Sequence, residues 1–242
     1  MTNAYLIYCR AGFEKEATAE LQHFATQYDW QGYVKSKADS AFVLFCGQDL
    51  PTTGKQAPQW RDLVFARQLL FLKHSEPLKL NAEDRISPLI EACDGQFYQD
   101  VVFEGADTND GKSLAGFFKS FAPAFTSVLK KRTLLRKKAE QRLHLFFLDS
   151  TTVYIGYSQI NNSSPWPMGV PRLRFPKDAP SRSTLKLEEA FHYYLDEQTQ
   201  QEWLREGMTG VDLGAAPGGW TWQLVDRGLQ VTAIDNGPMI KL

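Results

Sequence analysis

The sequence predicts an α/β protein in which two small N-terminal α/β units precede the beginning of a third, doubly wound α/β domain. The prediction rests on a β-α-β-β opening, on alternating helices and strands up to about residue 158, and on a strand, glycine turn, helix and strand in the last 34 residues. A chain of 242 residues, 43% of them hydrophobic, is long enough to form several compact domains. We therefore divide it into residues 1–78, 79–160, a Pro-rich linker at 161–180, and 181–242.

The composition excludes several classes of protein. No apolar run approaches the ~18 residues of a membrane span, and three widely spaced cysteines do not make a disulfide scaffold, so we expect buried, reduced thiols. The four histidines are equally scattered, and we expect no metal site. Because the N-terminus has no secretion signal, we expect a cytoplasmic protein. We also expect a monomer with no membrane partner.

The first N-terminal segment, residues 1–78, opens with a strand and an amphipathic helix. Residues 4–9 are apolar, and apolar side chains then recur at three- and four-residue intervals over 13–28. Two further strands are predicted around Val34 and at 41–46, joined by a polar turn. This β-α-β-β order, completed by an extended apolar stretch at 63–72, is typical of a ferredoxin-like sandwich.

The second N-terminal segment, residues 79–160, alternates helices and strands, whereas the linker after it is predicted to form neither. Helices are predicted at 82–93 and 112–130, and strands at 97–104, 143–148 and 153–158. The linker holds five of the chain's 12 prolines and no periodic apolar pattern. We predict neither helix nor strand there.

The C-terminal segment begins with a helix that Ser183 is placed to cap. Its inner side is predicted to carry Leu185, Leu187, Ala190, Phe191 and Tyr194. A short buried strand at 209–213, a helix at 218–227 and a strand at 229–235 then form a β-α-β unit. A doubly wound domain needs more strands than these, so we expect the sequence to be part of a longer chain.

The net charge of −1 hides an uneven distribution. Residues 1–180 contain 22 Lys+Arg against 19 Asp+Glu, residues 181–242 contain 5 against 9, and residues 130–142 alone carry +6. Two groups of cations are candidates for RNA binding: Lys130, Lys131, Arg132, Arg136 and Lys137, and then Arg172 and Arg174. A charged run at a helix end is often only a solvated face. Cations interleaved with aromatic residues also suit phosphates and unstacked bases.

The segment VDLGAAPGGW joins a predicted strand to a predicted helix. Gly214 permits a tight turn, and Gly218 and Gly219 allow a ligand to approach the backbone at a helix start that offers free N–H groups. No Lys-Ser/Thr follows, which excludes a Walker loop, and Ala216 replaces the second glycine of a dinucleotide turn. Asp235 lies 21 residues after Gly214, where a carboxylate binds both hydroxyls of a ribose. The pattern favours S-adenosylmethionine; an NAD site and an ordinary strand-turn-helix remain alternatives.

Longer blocks of sequence extend this interpretation. VDLGAAPGGW together with PSRSTLKLEEAF resembles the Rossmann-like RNA ribose 2'-O-methyltransferases related to the heat-shock rRNA methyltransferase. With MGVPRLRFPKDAPSRSTLKLEEAF and AYLIYCRAGFEKEATAEL, the chain is similar to the bacterial 23S rRNA 2'-O-ribose methyltransferase M family, which is cytidine-specific. The resemblance implies a ferredoxin-like unit, a THUMP RNA-binding unit and an incomplete Rossmann-like methyltransferase domain. It also implies methyl transfer from S-adenosylmethionine to the ribose 2'-hydroxyl of a cytidine in 23S rRNA.

The resemblance and the glycine turn together indicate which residues bind the cofactor and which act in catalysis. The cofactor-binding candidates are Ser183, Asp212, Gly214, Ala216, Pro217, Gly218, Gly219 and Asp235. Lys186 matches the first lysine of the family's Lys-Asp-Lys-Glu catalytic set. The other three members come from later strands, so we expect this polypeptide alone to be inactive. From spacing alone, Lys186 could instead be a solvated partner of Glu188 or Glu189, and the whole chain could be a noncatalytic RNA-binding module.

Overall fold

The computed structural model describes residues 3–93 and 95–240. The chain divides into two compact units, residues 1–170 (unit 1) and residues 171–242 (unit 2). Both contain helices and strands, so the predicted α/β class is confirmed. None of the described helices is long and apolar enough to cross a membrane.

Unit 1 begins with a ferredoxin-like arrangement. Its elements are β1 (Asn3–Tyr8), α1 (Glu14–Gln27), β2 (Gly32–Ser36), β3 (Phe42–Gly47) and β4 (Gln68–Leu72). The four strands are antiparallel in the order β2-β3-β1-β4. Helix α1 buries Ala17, Leu21 and Phe24, which lie three and four residues apart as the sequence predicts. The predicted β-α-β-β opening is therefore confirmed.

The connection from β3 to β4 departs from the prediction. The extended stretch expected at 63–72 is wrong in its first half, because only β4 is a strand and Trp60–Asp62 form a 3-10 turn before it. The Glu20 carboxylate accepts hydrogen bonds from the backbone N–H groups of Val64 and Ala66. These side-chain hydrogen bonds satisfy backbone N–H groups that would otherwise pair with a neighbouring strand.

The second half of unit 1 adds strands to the same sheet. Its elements are β5 (Leu78–Lys79), α2 (Ile86–Cys93), β6 (Asp100–Gly105), α3 (Asn109–Ser113), α4 (Ala115–Lys131), β7 (Gln141–Asp149) and β8 (Thr152–Gln159). The single helix predicted at 112–130 is thus two helices that meet at Leu114. The eight-stranded sheet has the order β2-β3-β1-β4-β8-β7-β6, with β5 paired to β8.

The pairing of β4 with β8 joins the two halves of unit 1. Phe71 lies opposite Tyr157, and Leu72 lies opposite Gly156. A Cβ on Gly156 would lie 2.6 Å from Leu72 Cδ2 and 2.9 Å from the Phe71 carbonyl oxygen. Glycine is needed here because the strands could not otherwise approach this closely. The segments 1–78 and 79–160 therefore share one sheet.

A buried polar network ties distant parts of unit 1 together. Glu104 accepts hydrogen bonds from the Tyr8 hydroxyl at 2.7 Å, from His144 Nδ1 at 2.8 Å and from the Met168 backbone N–H at 2.7 Å. His144 Nε2 lies 2.9 Å from Ser158 Oγ. Burial alone would raise the pKa of Glu104, but the His144 ring and these hydrogen bonds hold it below its ordinary value. The network links β1, β6, β7, β8 and the start of the linker.

Residues 161–180 contain neither α-helix nor strand, as predicted. A 3-10 turn at Pro167–Gly169 is the regular structure within them, and another ends at Asn162. The side-chain amide of Gln68 bonds both the N–H of Ser164, at 3.1 Å, and its carbonyl oxygen, at 3.0 Å. The first half of the segment is therefore packed as part of unit 1.

Unit 2 contains the predicted β-α-β unit. Its elements are α5 (Ser183–Tyr194), α6 (Glu197–Trp203), β9 (Thr209–Leu213), α7 (Gly219–Val225) and β10 (Gln230–Ile234). β9 and β10 pair in parallel. Two predicted details are wrong: β9 buries only Asp212, and Tyr194 is 84% exposed instead of lying on the inner side of α5.

The cysteines are buried and free, as predicted. Burial raises the pKa of the Cys9 and Cys93 thiols to about 12, so these side chains serve packing and are unreactive. Within residues 3–93 and 95–240, no group of three or more His, Cys, Asp or Glu side chains is placed to hold a metal ion.

Candidate cofactor cleft and basic surfaces

The glycine turn connects β9 to α7 in unit 2. Gly214 (φ +78°) and Gly218 (φ +108°) lie in the left-handed region that favours glycine. The Gly214 N–H donates to the Ile234 carbonyl at 2.9 Å, and the Gly218 N–H donates to the Ala215 carbonyl at 2.6 Å. The turn is therefore held both by the end of β10 and by its own backbone.

Gly219 lies in close contact with the start of α5. A Cβ there would lie 2.1 Å from Ser183 Oγ and 3.1 Å from the Thr184 backbone nitrogen. The Thr184 hydroxyl donates to the Gly219 carbonyl at 2.9 Å, and Trp220 Nε1 donates to the Ser183 carbonyl at 3.1 Å. Gly219 thus allows α7 to pack against the start of α5, and its predicted contact with a ligand stays a prediction.

The prediction that Ser183 caps α5 is wrong. The helix begins at Ser183 itself, and no side chain caps it. The Ser183 hydroxyl lies 2.5 Å from Ser181 Oγ, beside the glycine turn. It is therefore placed toward the turn instead of toward the first backbone N–H groups of α5.

A cleft of about 260 Å³ lies beside the glycine turn. It brings together four of the cofactor candidates and the candidate catalytic lysine: Ser183, Asp212, Gly214, Ala216 and Lys186. Pro217, Gly218 and Gly219 are not among its lining residues, and Asp235 is connected to it through Ala216. Sequence reasoning missed Trp220, which also lines the cleft and whose position directly after the glycine pair was the available signal.

Asp235 follows β10 and binds the glycine turn. Its Oδ2 accepts the Ala216 N–H at 2.8 Å, and its Oδ1 accepts the Gly237 N–H at 2.7 Å. The hydrogen bond from Gly237, followed by that from Ala216, lowers the pKa of Asp235. The carboxylate is exposed, and each oxygen retains a lone pair that can accept a further hydrogen bond.

Asp212 is the buried member of the cleft. Its side chain accepts a hydrogen bond from the Thr221 hydroxyl at 2.7 Å, and the residue is only 5% exposed. This bond joins the end of β9 to the first turn of α7. Asp212 therefore fixes the turn and lines the cleft at once.

Lys186 lies at the cleft with its side chain exposed. The alternative partner Glu188 instead pairs with Arg227 at 2.6 Å and with His192 at 3.2 Å. In the part of the chain that the structure describes, none of the ion pairs includes Lys186. Its ammonium is therefore available to a ligand in the cleft.

The basic cluster of unit 1 lies at the end of α4 and in the loop after it. The exposed members are Lys130, Lys131, Arg132, Arg136 and Lys137. The Arg136 guanidinium lies 3.1 Å from the centre of the Phe97 ring, which is 42% exposed. Arg142 does not contribute a free cation to this surface, because its guanidinium binds both carboxylate oxygens of Asp100, at 2.7 and 3.0 Å.

The basic cluster of unit 2 precedes α5. Arg172 and Arg174 are both exposed, and the neighbouring Phe175 is 42% exposed. Each cluster therefore lies on the surface of its own unit, and RNA binding by either stays a prediction.

Three family models match successive parts of the chain. The model described as "RlmM ferredoxin-like domain" matches residues 1–70. "Ribosomal RNA large subunit methyltransferase M, N-terminal" matches residues 84–159, and "FtsJ-like methyltransferase" matches residues 179–241. The last of these contains the glycine turn, Lys186 and Asp235.

Curated relatives that carry the name ribosomal RNA large subunit methyltransferase M match nearly the whole chain. The protein of Cellvibrio japonicus is 47% identical over 99% of this chain and 69% of its own length. The protein of Tolumonas auensis is 46% identical (98% of this chain, 66% of its own), and that of Thauera aminoaromatica is 45% identical (96% and 65%). The chain thus spans about two thirds of the length of these relatives.

Proposed function

Because the chain belongs to the ribosomal RNA large subunit methyltransferase M family, we propose that it binds S-adenosylmethionine and serves ribose methylation of 23S rRNA. Within a chain of the relatives' length, the methyl group would go to the 2'-hydroxyl of a cytidine. The observation that supports this most directly is the cleft that brings Lys186 to the glycine turn. We further propose that the protein acts as a cytoplasmic monomer without a metal, and sedimentation of the full-length enzyme would test its oligomeric state.

The residues around the cleft fit the cofactor. A side chain added at Gly214 would meet no atom within 4 Å, so the space beside the turn is open. Asp235 offers a fixed carboxylate with free acceptor capacity, which two ribose hydroxyls require. At about 260 Å³, the cleft is somewhat smaller than the ~300–1,000 Å³ of most ligand sites, so it accommodates part of the cofactor.

Four side chains in or beside the cleft have distinct tasks in this proposal. The bound cofactor supplies an electrophilic methyl group on its sulfonium centre. Asp235 binds the ribose hydroxyls, Ser183 adds a hydroxyl at the wall, and Asp212 holds the turn through Thr221. The Lys186 ammonium orients the 2'-oxygen of the RNA and stabilises the negative charge that develops on it. The hydroxyl proton passes to a base that a chain of the relatives' length would supply. Correct placement of the two reactants alone can lower the barrier by several kcal/mol.

The catalytic role is tested by Lys186→Ala in an enzyme of the relatives' length. We expect methyl transfer to 23S rRNA fragments to fall at least about a hundredfold, because removing one group that stabilises a developing oxyanion costs roughly 10²–10³-fold. Calorimetric binding of S-adenosylmethionine should change little. Lys119→Ala, at an exposed lysine of α4, is the matched control. Near-normal turnover of the Lys186 variant would contradict the role.

The cofactor itself is tested by titrating the same enzyme with S-adenosylmethionine and with NAD. We expect heat of binding from the first only, and Asp235→Ala should abolish it because the ribose loses its acceptor. An enzyme that binds S-adenosylmethionine yet methylates no rRNA would instead support the noncatalytic RNA-binding alternative.

RNA binding by unit 1 is tested by replacing Lys130, Lys131 and Arg132 together with Gln. We expect weaker binding of rRNA fragments, and the slope of log K against log salt should fall by about 2, since each phosphate contact contributes about 0.7–0.9. Gln at Lys15, Lys37 and Lys112 removes the same charge from other exposed positions and is the control. Equal affinities and slopes for both triple variants would remove the proposal for this surface.

A further inference from the structure

A polar cleft of about 430 Å³ lies in unit 1, away from the glycine turn. Its wall is rich in side-chain amides: Gln59, Gln99, Gln159, Asn161 and Asn162. Among the described residues that line it, Glu140 is the one charged side chain. Side-chain amides carry both donors and acceptors that a ligand can use.

The frame of this amide cleft is rigid. Asn162 accepts the Trp60 backbone N–H and donates to the Pro58 carbonyl, both at 2.9 Å, so it joins segments about a hundred residues apart in the chain. The Ile160 N–H donates to the Glu140 carbonyl at 2.8 Å, and the Gln99 N–H donates to the Gln141 carbonyl at 2.7 Å. These bonds hold the walls together without using the side-chain amides of Gln99, Gln159 and Asn161.

Three of those amides are available to a ligand. The side chains of Gln99, Gln159 and Asn161 make no hydrogen bond to any other described residue. Each offers a carbonyl oxygen and an NH₂ group, a combination that pairs with the edge of a nucleobase. Glu140 adds an acceptor for an exocyclic amino group.

The basic cluster of unit 1 adjoins the amide cleft directly. Ala139 and Glu140, which line the cleft, continue from Arg136, Lys137 and Lys138, and the Ala139 N–H donates to the Arg136 carbonyl at 3.0 Å. Beside them, Gln99 lies two residues from Phe97, and the Arg136 guanidinium lies 3.1 Å from the centre of the Phe97 ring. Cations for phosphates, an exposed aromatic ring and free amides thus meet at one place.

We propose that the amide cleft binds the base of an unpaired RNA nucleotide while Arg136, Lys137 and Lys138 hold the adjoining phosphates. The proposal rests on the proposed RNA-binding function of unit 1 and adds to it a base-reading site. A duplex would not insert a base into the cleft, because its base edges are paired. The expected ligand is therefore a single-stranded loop, bulge or end of the RNA.

The test compares short single-stranded RNA with an RNA duplex of equal length, by fluorescence anisotropy on this chain. Replacing Gln99, Gln159 and Asn161 together with Ala should weaken single-strand binding about tenfold or more, since each good base-edge contact discriminates by about that factor. Duplex affinity and the salt slope should stay unchanged, because no phosphate contact is lost. Gln22→Ala with Gln27→Ala, at exposed amides of α1, is the control and should change neither.

The possible outcomes separate this proposal from the broader function. If the amide variant binds single strands as the unaltered chain does, while the Lys130, Lys131 and Arg132 variant binds weakly, the amide cleft is not a base site and the RNA surface stands. If the unaltered chain binds neither RNA at low salt, both proposals fail. Equal losses on single strand and duplex would also overturn the base site. The melting temperature should not change, because the three amides make no internal hydrogen bonds.

Discussion

The two units differ in how far their strands are buried. Five of the six residues in β1 and in β3 are buried, whereas β9 buries only Asp212 and β10 buries none of its five residues. In unit 2, the side chains of Val211, Leu213 and Ile234 are 63%, 75% and 53% exposed. The difference shows that an apolar strand pattern predicts a strand but not the partners that cover it.

The candidate site does not depend on how far the strands of unit 2 are covered, because its hydrogen bonds join residues that are close together in the chain. Asp235 lies 19 residues from Ala216, and Thr221 lies nine residues from Asp212. The buried network of unit 1 instead joins Tyr8 to Glu104 across 96 residues of chain. A short β-α-β unit can therefore fix its ligand-facing groups, while the stability of unit 1 depends on contacts between distant segments.

The largest effect is expected from Glu104→Gln in unit 1. Removing one partner of a fully buried pair typically costs about 3–5 kcal/mol, because the Tyr8, His144 and Met168 groups are left with a weaker acceptor in a dry environment. Since the folded-state pKa of Glu104 lies below its ordinary 4.5, the carboxylate stabilises the fold fully above that pH. The stabilisation is lost as the pH falls through the lower folded-state pKa. Native-state hydrogen exchange of β6 and β7 between pH 7 and pH 3 would measure both effects.

The control for this prediction is Glu83→Gln, at an exposed carboxylate that should change the free energy of unfolding by no more than ~0.5 kcal/mol. The Glu104 variant should also lose stability less steeply below pH 4.5 than the unaltered protein does. A cost below about 1 kcal/mol with an unchanged acid profile would mean that the network does not stabilise unit 1.

A slightly smaller effect is expected from Leu70→Ala in β4. Leu70 is completely buried in a hydrophobic core cluster of unit 1, and deleting such a side chain costs about 2–5 kcal/mol through lost burial and the cavity left behind. Hydrogen exchange of β1 and β4 gives the cost directly. Leu70→Met, which preserves volume, should cost less than about 1.5 kcal/mol. Comparable costs for both variants would show that the chemistry of the side chain, and not the cavity, determines the loss.

Local periodicity was sufficient to predict most elements and the glycine turn. The sequence correctly indicated that Gly214 forms a tight turn and that a β-α-β unit surrounds it, whereas the left-handed conformation of Gly218 was not predicted. It could not predict that Gly219 is required by Ser183, because that contact depends on how α5 packs on α7. The joining of β4 to β8 was missed for the same reason, since strand partners far apart in the chain leave no local signal.

The smallest effect is expected from Leu213→Ala in β9, the counterpart of Leu70→Ala. The leucine is 75% exposed, so truncation removes little buried surface and should change the free energy of unfolding by no more than about 0.5 kcal/mol. Hydrogen exchange of the β9 and β10 amides would measure it, at two protein concentrations. A cost above about 1 kcal/mol that grows with concentration would mean that a second copy covers this side chain in solution. In a chain of the relatives' length, the same substitution should cost more wherever additional strands pack against β9, because the cost of truncation follows the burial of the side chain and not its identity.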